Sequence, residues 1–186
     1  MNNCYIALIH YPILNKHGEI VTTSVTNFDL HDLSRTAKTF GIENVFIVTP
    51  SETQRKMVDY IWDYWHDGYG ATYNPDRKEA FGILEPKTDL EECCLTIEKA
   101  SGKRPYLIAT TAKMAPDAVG FDKLKQRLSQ DDQPVLITFG TGHGLTEGFL
   151  ESCDAILEPI QGQGEYNHLP VRSAVAIILD RLLGRE

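Results

Sequence analysis

The sequence predicts an α/β domain: a parallel sheet with helices on both faces. Strand-like and helix-like segments alternate along the whole chain, with short connections. The strand-like segments are largely unbroken apolar runs, as strands covered on both faces require. Several of these runs end in turns rich in Gly, Thr and small polar residues, where such sheets bind ligands.

Taken in order, "YIALIHYPI" reads as a buried strand. "EIVTTSVT" alternates and is β-branched, as in a short strand or extended loop. "DLHDLSRTAKTFG" is a helix ending at Gly41; Leu30, Leu33, Ala37 and Phe40 face the core, and His31, Arg35 and Lys38 share another face. "NVFIVTP" is the next strand. "SETQRKMVDYIWDYWHDGYG" opens with Ser51 and Gln54 at capping-box spacing, carries a stripe of Met57, Val58, Ile61 and Trp65, and stops at Gly68. "ATYNPDRKEA" is polar and reads as a loop. "FGILE" is a short strand, and "TDLEECCLTIEKASG" a helix capped by Thr88 with Glu91 three residues on. "PYLIATTA" is a strand running into a polar turn, "DAVGFDKLKQRLSQ" a helix and "PVLITFG" a strand. "LTEGFLES" is a short helix, "DAILEPI" a strand, and the closing helix begins near Pro170. There is no repeat, low-complexity tract or linker, so one domain is expected over residues 1–186.

Eighteen Lys and Arg against 26 Asp and Glu leave a formal charge of −8. That argues against an extended nucleic-acid-coating surface and an anionic membrane partner, while leaving room for a local basic cleft. No apolar run approaches a membrane span, and "MNNCYIALIHYP" has no basic region of the signal-peptide kind. Cys4, Cys93, Cys94 and Cys153 have neither zinc-site nor redox-pair spacing. No metal is expected, and the expected compartment is the cytoplasm.

Chemistry is therefore sought in the turns "ATTAK" (109–113), "FGTGHGL" (139–145) and "EPIQGQGEYNHL" (158–169). The second lacks the Gly-Lys-Ser/Thr ending of a P-loop and the third glycine of a dinucleotide fingerprint. In the third, Gly162 and Gly164 are expected to bend the chain sharply, so that backbone groups from Tyr166 to Leu169 and the first N–H groups of the closing helix meet a ligand. That helix has Val171, Ala174, Val175, Ile178 and Leu182 on one stripe with Ile177 and Leu179 beside it, so it must be buried on more than one side. A partner subunit is one candidate for the second side.

The order "TNFDLHDLSRTAKTFG", "FGTGHGL", "LEPIQGQGEYNHLPVRSAVAIIL" resembles the SPOUT superfamily of RNA methyltransferases. More narrowly, it resembles a small stand-alone bacterial family related to tRNA (guanine-N1) methyltransferases. The resemblance implies S-adenosylmethionine as cofactor and structured RNA, tRNA or rRNA, as substrate. It also implies a deep C-terminal trefoil knot and a homodimer through the knot helices. By position it gives the cofactor Thr110 and Thr111; then Gly140, Thr141, Gly142, His143, Gly144 and Leu145; then the stretch from Ile160 to Leu169, with Ile160, Gly162, Gly164, Tyr166, Asn167, His168 and Leu169. Asn27, Asp32 and Arg35 would lie beside the methyl donor or the RNA, Arg35 positioning the substrate and His168 or Asp32 accepting a proton. Where the ribose-methylating branch has Asn-Val-Ser, this chain has His168-Leu169-Pro170, so that branch's chemistry does not carry over.

Blander roles stand beside these. Arg35 pairs with Asp32, His143 packs, and His168 is an ordinary loop histidine. Arg172 makes an ion pair or covers the dimer interface, and Trp62 and Trp65 are core. Tyr69 and Tyr73 remain open between core and stacking. Lys99, Lys103, Arg104, Lys113, Arg77 and Lys78 are the candidates for RNA contact. The rivals to a methyltransferase are a dinucleotide enzyme, for which "PILNKHG" after the first strand offers no fingerprint, and a non-catalytic module of the same fold.

Overall fold

The computed structural model describes residues 3–164 and 166–185. Strand β1 (Cys4–Ile9) is followed by β2 (Ile13–Leu14) and β3 (Ile20–Val21), which pair as a small antiparallel hairpin. Helix α1 (Asn27–Thr39) leads to β4 (Val45–Val48), and α2 (Glu52–His66), α3 (Tyr69–Tyr73) and α4 (Pro75–Phe81) lead to β5 (Leu84–Lys87). Then α5 (Leu90–Ser101), β6 (Tyr106–Thr110), α6 (Phe121–Gln130), β7 (Val135–Gly140), α7 (Glu147–Glu151), β8 (Ala155–Leu157) and α8 (Val171–Leu183) alternate to the end. Six strands form one sheet in the order β5-β4-β1-β7-β6-β8, and every pairing in it is parallel.

All six residues of β1 are buried, because the strand lies inside the sheet and both its faces are covered. Cys4, Ile6 and Leu8 point into a core shared with α1, α2, α4, α6 and α8. Tyr5, Ala7 and Ile9 point the other way, into a smaller core with α5 and α7. The expected parallel sheet with helices on both faces is the observed architecture.

Local chemistry sets the helix ends. Thr26 caps α1 in a reciprocal box: its hydroxyl accepts from Asp29 N, and Asp29 Oδ2 accepts from Thr26 N at 3.1 Å. Ser51 caps α2, but Gln54 does not close the box. Its Oε1 accepts instead from Val25 N at 2.6 Å, tying α2 to the segment before α1. The stripe of α2 also differs from expectation. Met57 is exposed, and Trp62 turns inward to donate its Nε1–H to Phe81 O at 2.9 Å. The helix ends at His66 with Asp67 as its C-cap, one residue before Gly68.

The stretch read as a polar loop is two short helices. Asn74 accepts from Arg77 N at 3.0 Å and Pro75 takes the first helical position of α4, a start signal that outweighs the polar composition. Ala80 and Phe81 are buried at its end. Helix α5 starts one residue later than expected: Asp89, not Thr88, is the cap, accepting from Glu92 N at 2.9 Å.

Helix α8 packs against α1, α6 and β7, burying Val175, Ile178, Leu179 and Leu182. Its all-round apolar character is thus answered first within the chain.

Phe81 is fully buried and meets His31 edge-on at 4.8 Å, so it locks α4 onto α1 and α2. Phe81→Ala is expected to cost about 3–5 kcal/mol. The change would appear as a lower urea midpoint at unchanged slope.

Candidate functional site

Strands β1 and β7 pair from Cys4↔Val135 to Ile9↔Gly140, so the chain leaving β1 and the glycine loop leaving β7 emerge side by side. The β2–β3 hairpin straps that loop. Leu14 N donates to Gly144 O at 2.9 Å, and His143 N donates to Leu14 O at 3.0 Å. Gly142 has φ +56°, and a Cβ there would lie 2.9 Å from Ile13 Cγ2 and 3.2 Å from Leu14 O. Only glycine fits both the dihedral and the gap.

The loops after β6, β7 and β8 converge on one edge, because β7, β6 and β8 are consecutive in the sheet. Thr110 Oγ1 donates to Thr138 O at 2.9 Å, linking β6 to β7. The third loop leaves β8 at the sheet edge and ends at α8, which packs against α1, α6 and β7. Near its end, Asn167 Nδ2 donates to Ala112 O at 2.8 Å and fastens it to the first loop. Among the described residues, no backbone group of 160–164 or 166–169 pairs with another backbone group. Unpaired N–H and C=O groups lined along a strand edge are the donors and acceptors a flat polar ligand uses. The chain bends at Gln163 and Gly164, but neither Gly162 nor Gly164 has a positive φ, and a Cβ at either would meet nothing, so the bend does not demand glycine.

Beyond this loop, Arg172 clasps α8 to α1. Its Nη1 lies 3.3 Å from Asp29 Oδ1 and its Nε 3.0 Å from Asp32 Oδ2. The expected Arg35–Asp32 pair is absent, since Arg172 takes that carboxylate. Arg35 is exposed with no ion pair among the described residues, as is Asn27. Thr110, Thr111, Thr141 and Ile160 are half-buried, Leu145 is buried, and Gly142, His143, Tyr166, His168 and Leu169 are exposed. His143 therefore does not pack, and His168 meets Tyr166 edge-on at 5.3 Å. Glu165, within the third loop, lies outside the described residues.

Of the cations considered for RNA contact, Arg104 is forked onto Glu91 at 2.9 and 2.5 Å, Lys103 pairs with Asp132, and Arg77 lies over the Trp65 ring at 4.5 Å. Lys78, Lys99 and Lys113 make no ion pair among the described residues. Trp62 and Trp65 are packing residues, whereas Tyr69 and Tyr73 are exposed and stacked at 6.3 Å. Two depressions, by Lys123–Asp132 and by Thr39–Gly41 with the end of α8, share no residue with the loop cluster. Burial raises the thiol pKa of Cys4 to about 12 and those of Cys94 and Cys153 to about 11, so none is a ready nucleophile.

Sequence reasoning missed His10. It directly follows β1, is fully buried, and its Nδ1 lies 3.0 Å from Thr23 Oγ1. Burial lowers its pKa to about 4, against a small opposing pull from Asp29. Its signal was available: a histidine ending an apolar central strand sits at the ligand-binding edge.

A parallel α/β sheet with glycine and threonine loops gathered at its carboxyl edge is the class that holds a nucleotide-like cofactor there. A family model described as SAM-dependent RNA methyltransferase matches residues 3–184. The chain belongs to that family. It is 46% identical over 182 residues to a tRNA (guanine-N(1)-)-methyltransferase of Oleidesulfovibrio alaskensis, covering 98% of this chain and 42% of that protein. The chain therefore spans about two fifths of that relative's length. It is 43% identical over 184 residues to an uncharacterized protein of Aquifex aeolicus, covering 99% of this chain and 90% of that one. A probable methyltransferase from Bordetella pertussis shares the fold at TM-score 0.63 and 15% identity, over 97% of this chain and 94% of its own. The TrmH/SpoU tRNA modifying enzyme of A. aeolicus does so at TM-score 0.56 and 14% identity, over 98% and 75%. The SPOUT resemblance thus holds for the fold of the chain.

His10 also sets a pH dependence. Its folded pKa, about 4, lies below the unfolded 6.5, so the unfolded chain binds more protons between those values. Stability from this group is fully present above pH 6.5 and is lost as pH falls toward 4, by about 3 kcal/mol at most. His31, whose pKa burial also lowers, adds in the same direction. Urea midpoints measured from pH 7.5 to 4.5 are expected to fall, less steeply in His10→Asn.

Proposed function

We propose that the chain binds S-adenosylmethionine across the three loops and transfers its methyl group to a nucleoside of structured RNA, tRNA or rRNA. The observation that carries this is the open backbone of 160–164 and 166–169, without a backbone partner among the described residues and fastened by Asn167 to the loop after β6. Thr110, Thr111, the 140–145 loop and the 160–169 loop would hold the cofactor, the strapped glycine loop as its rigid floor. The site fits the cofactor: it offers exposed backbone rather than a cluster of cations, as a ligand without a phosphate chain asks. When bound, the sulfonium supplies an electrophilic methyl.

Such a transfer asks the protein for an in-line approach and for removal of a proton from an acidic acceptor. Arg35, exposed and without an ion pair among the described residues, is the substrate-positioning group. Asp32 is occupied by its ion pair with Arg172, so the proton acceptor is the exposed His168. Lys113, on the rim of the first loop, and Lys78 and Lys99 are left for phosphates.

The fastening of the third loop to the loop after β6 and the packing of α8 against α1 and β7 support reading this segment as a trefoil knot. Exposed Phe28, 5.6 Å below the Arg172 guanidinium, and exposed Leu169 support a homodimer at the α1–α8 face.

Calorimetry with S-adenosylhomocysteine is expected to show saturable binding, with NADH inert; no binding to the sulfur cofactor refutes the proposal. Arg35→Ala is expected to keep that affinity within about twofold while lowering RNA methylation on the order of 100-fold. Gly142→Val, which puts carbon where Ile13 Cγ2 stands, is expected to abolish both.

A further inference from the structure

The hydroxyl of Thr141, inside the glycine loop, lies 3.1 Å from Ile9 O, an atom that only accepts. Thr141 therefore donates to Ile9. Thr23 Oγ1 lies 2.5 Å from Thr141 Oγ1, and with the Thr141 proton already committed, Thr23 is the donor in that contact. With its own proton spent, Thr23 Oγ1 accepts at its remaining short contact, from His10 Nδ1 at 3.0 Å. The competing donation from Thr23 to His10 O is longer, at 3.4 Å. The chain of protons runs one way, His10 to Thr23 to Thr141 to Ile9, and requires the Nδ1–H tautomer of His10. It leaves Nε2 a bare, fully buried nitrogen with no partner among the described residues.

We propose that His10 is a positioning residue for the cofactor, acting through Thr23 to hold Thr141 and the glycine loop against the end of β1. This rests on the cofactor reading of that loop. Three points support it. The relay spans the sheet, the hairpin exit and the loop, so each link ties together parts of the chain distant in sequence. It reinforces the strap beside Gly142, where Thr23 Cγ2 also stands 3.4 Å from a Cβ position. And a fully buried imidazole with one unpaired nitrogen is a costly residue for packing alone, where a leucine would serve.

The test has two arms. Nitrogen chemical shifts of the His10 ring in the wild-type chain, read by long-range proton–nitrogen NMR at pH 7.5, are expected to show the Nδ1–H tautomer; the Nε2–H tautomer overturns the relay. S-adenosylhomocysteine affinity is then compared by calorimetry. His10→Leu and Thr23→Val are expected to weaken it about tenfold, the effect of one hydrogen bond of about 1.4 kcal/mol. His10→Asn, whose amide donates from nearly the place of Nδ1, is expected to stay within about threefold of wild type. Equal affinity in all variants, or Asn no better than Leu, overturns the proposal and leaves the cofactor reading intact. A wild-type chain that does not bind S-adenosylhomocysteine overturns both. If a variant fails to fold, the tautomer of the wild type still decides.

Discussion

The pairing of β1 with β7 is the constraint on which the rest of the structure depends. The two strands come from distant parts of the chain and match residue for residue, ending with Ile9 opposite Gly140. A parallel pair cannot be closed by a tight turn, so everything between them must pack as crossover layers. The apolar residues alternate to both faces of β1, and both faces must be covered. Coverage is unequal: α1, α2, α4, α6 and α8 share one face, while α5 and α7 suffice for the other. The same register sends the hairpin and the glycine loop out of the sheet together, which is why one can strap the other.

A contrast between loops follows. The 140–145 loop is over-determined: backbone bonds to Leu14, a left-handed Gly142 with no room for a side chain, and a hydroxyl chain to Ile9 all fix it. Among the described residues, the 160–169 loop is held by Asn167 near its end and by the Arg172 clasp just after it. A rigid floor opposite an open, backbone-rich wall suits a cofactor that must enter, be held flat, and leave after each turnover.

The fold was legible in the sequence because its signals are local and periodic. Apolar runs gave the strands, and helical spacing of Leu30, Leu33 and Ala37 gave α1 its inner face. What was missed depends on contacts across the chain. Residues 75–81 look polar, yet Asn74 and Pro75 start a helix whose last residue, Phe81, is buried against α1 and α2. Gln54 has the spacing of a capping box, but Val25 N outcompetes the cap for its oxygen. The three turns of the site were visible as glycine and threonine clusters at strand ends. The relay behind them was not, because His10, Thr23 and Thr141 are joined only once β1 and β7 have paired.

Arg172 shows how the two halves of the site are kept in one frame. It is the second residue of α8, where a cation faces the positive end of the helix dipole and is disfavoured. Asp29 stands in the first turn of α1, where the same dipole favours a carboxylate, and Asp32 lies one turn further on. Pairing the guanidinium with both offsets its misplacement, and it does so within the first turn of the helix that follows the third loop. The loop that would hold the cofactor and the helix that carries Arg35 are thereby joined by a charged contact with one carboxylate nearly buried. A substrate group placed by Arg35 would keep its distance from that loop even as the open backbone of the loop adjusts to its ligand. In-line transfer, which tolerates little error in the approach of acceptor to methyl, needs that common frame more than it needs acid–base power.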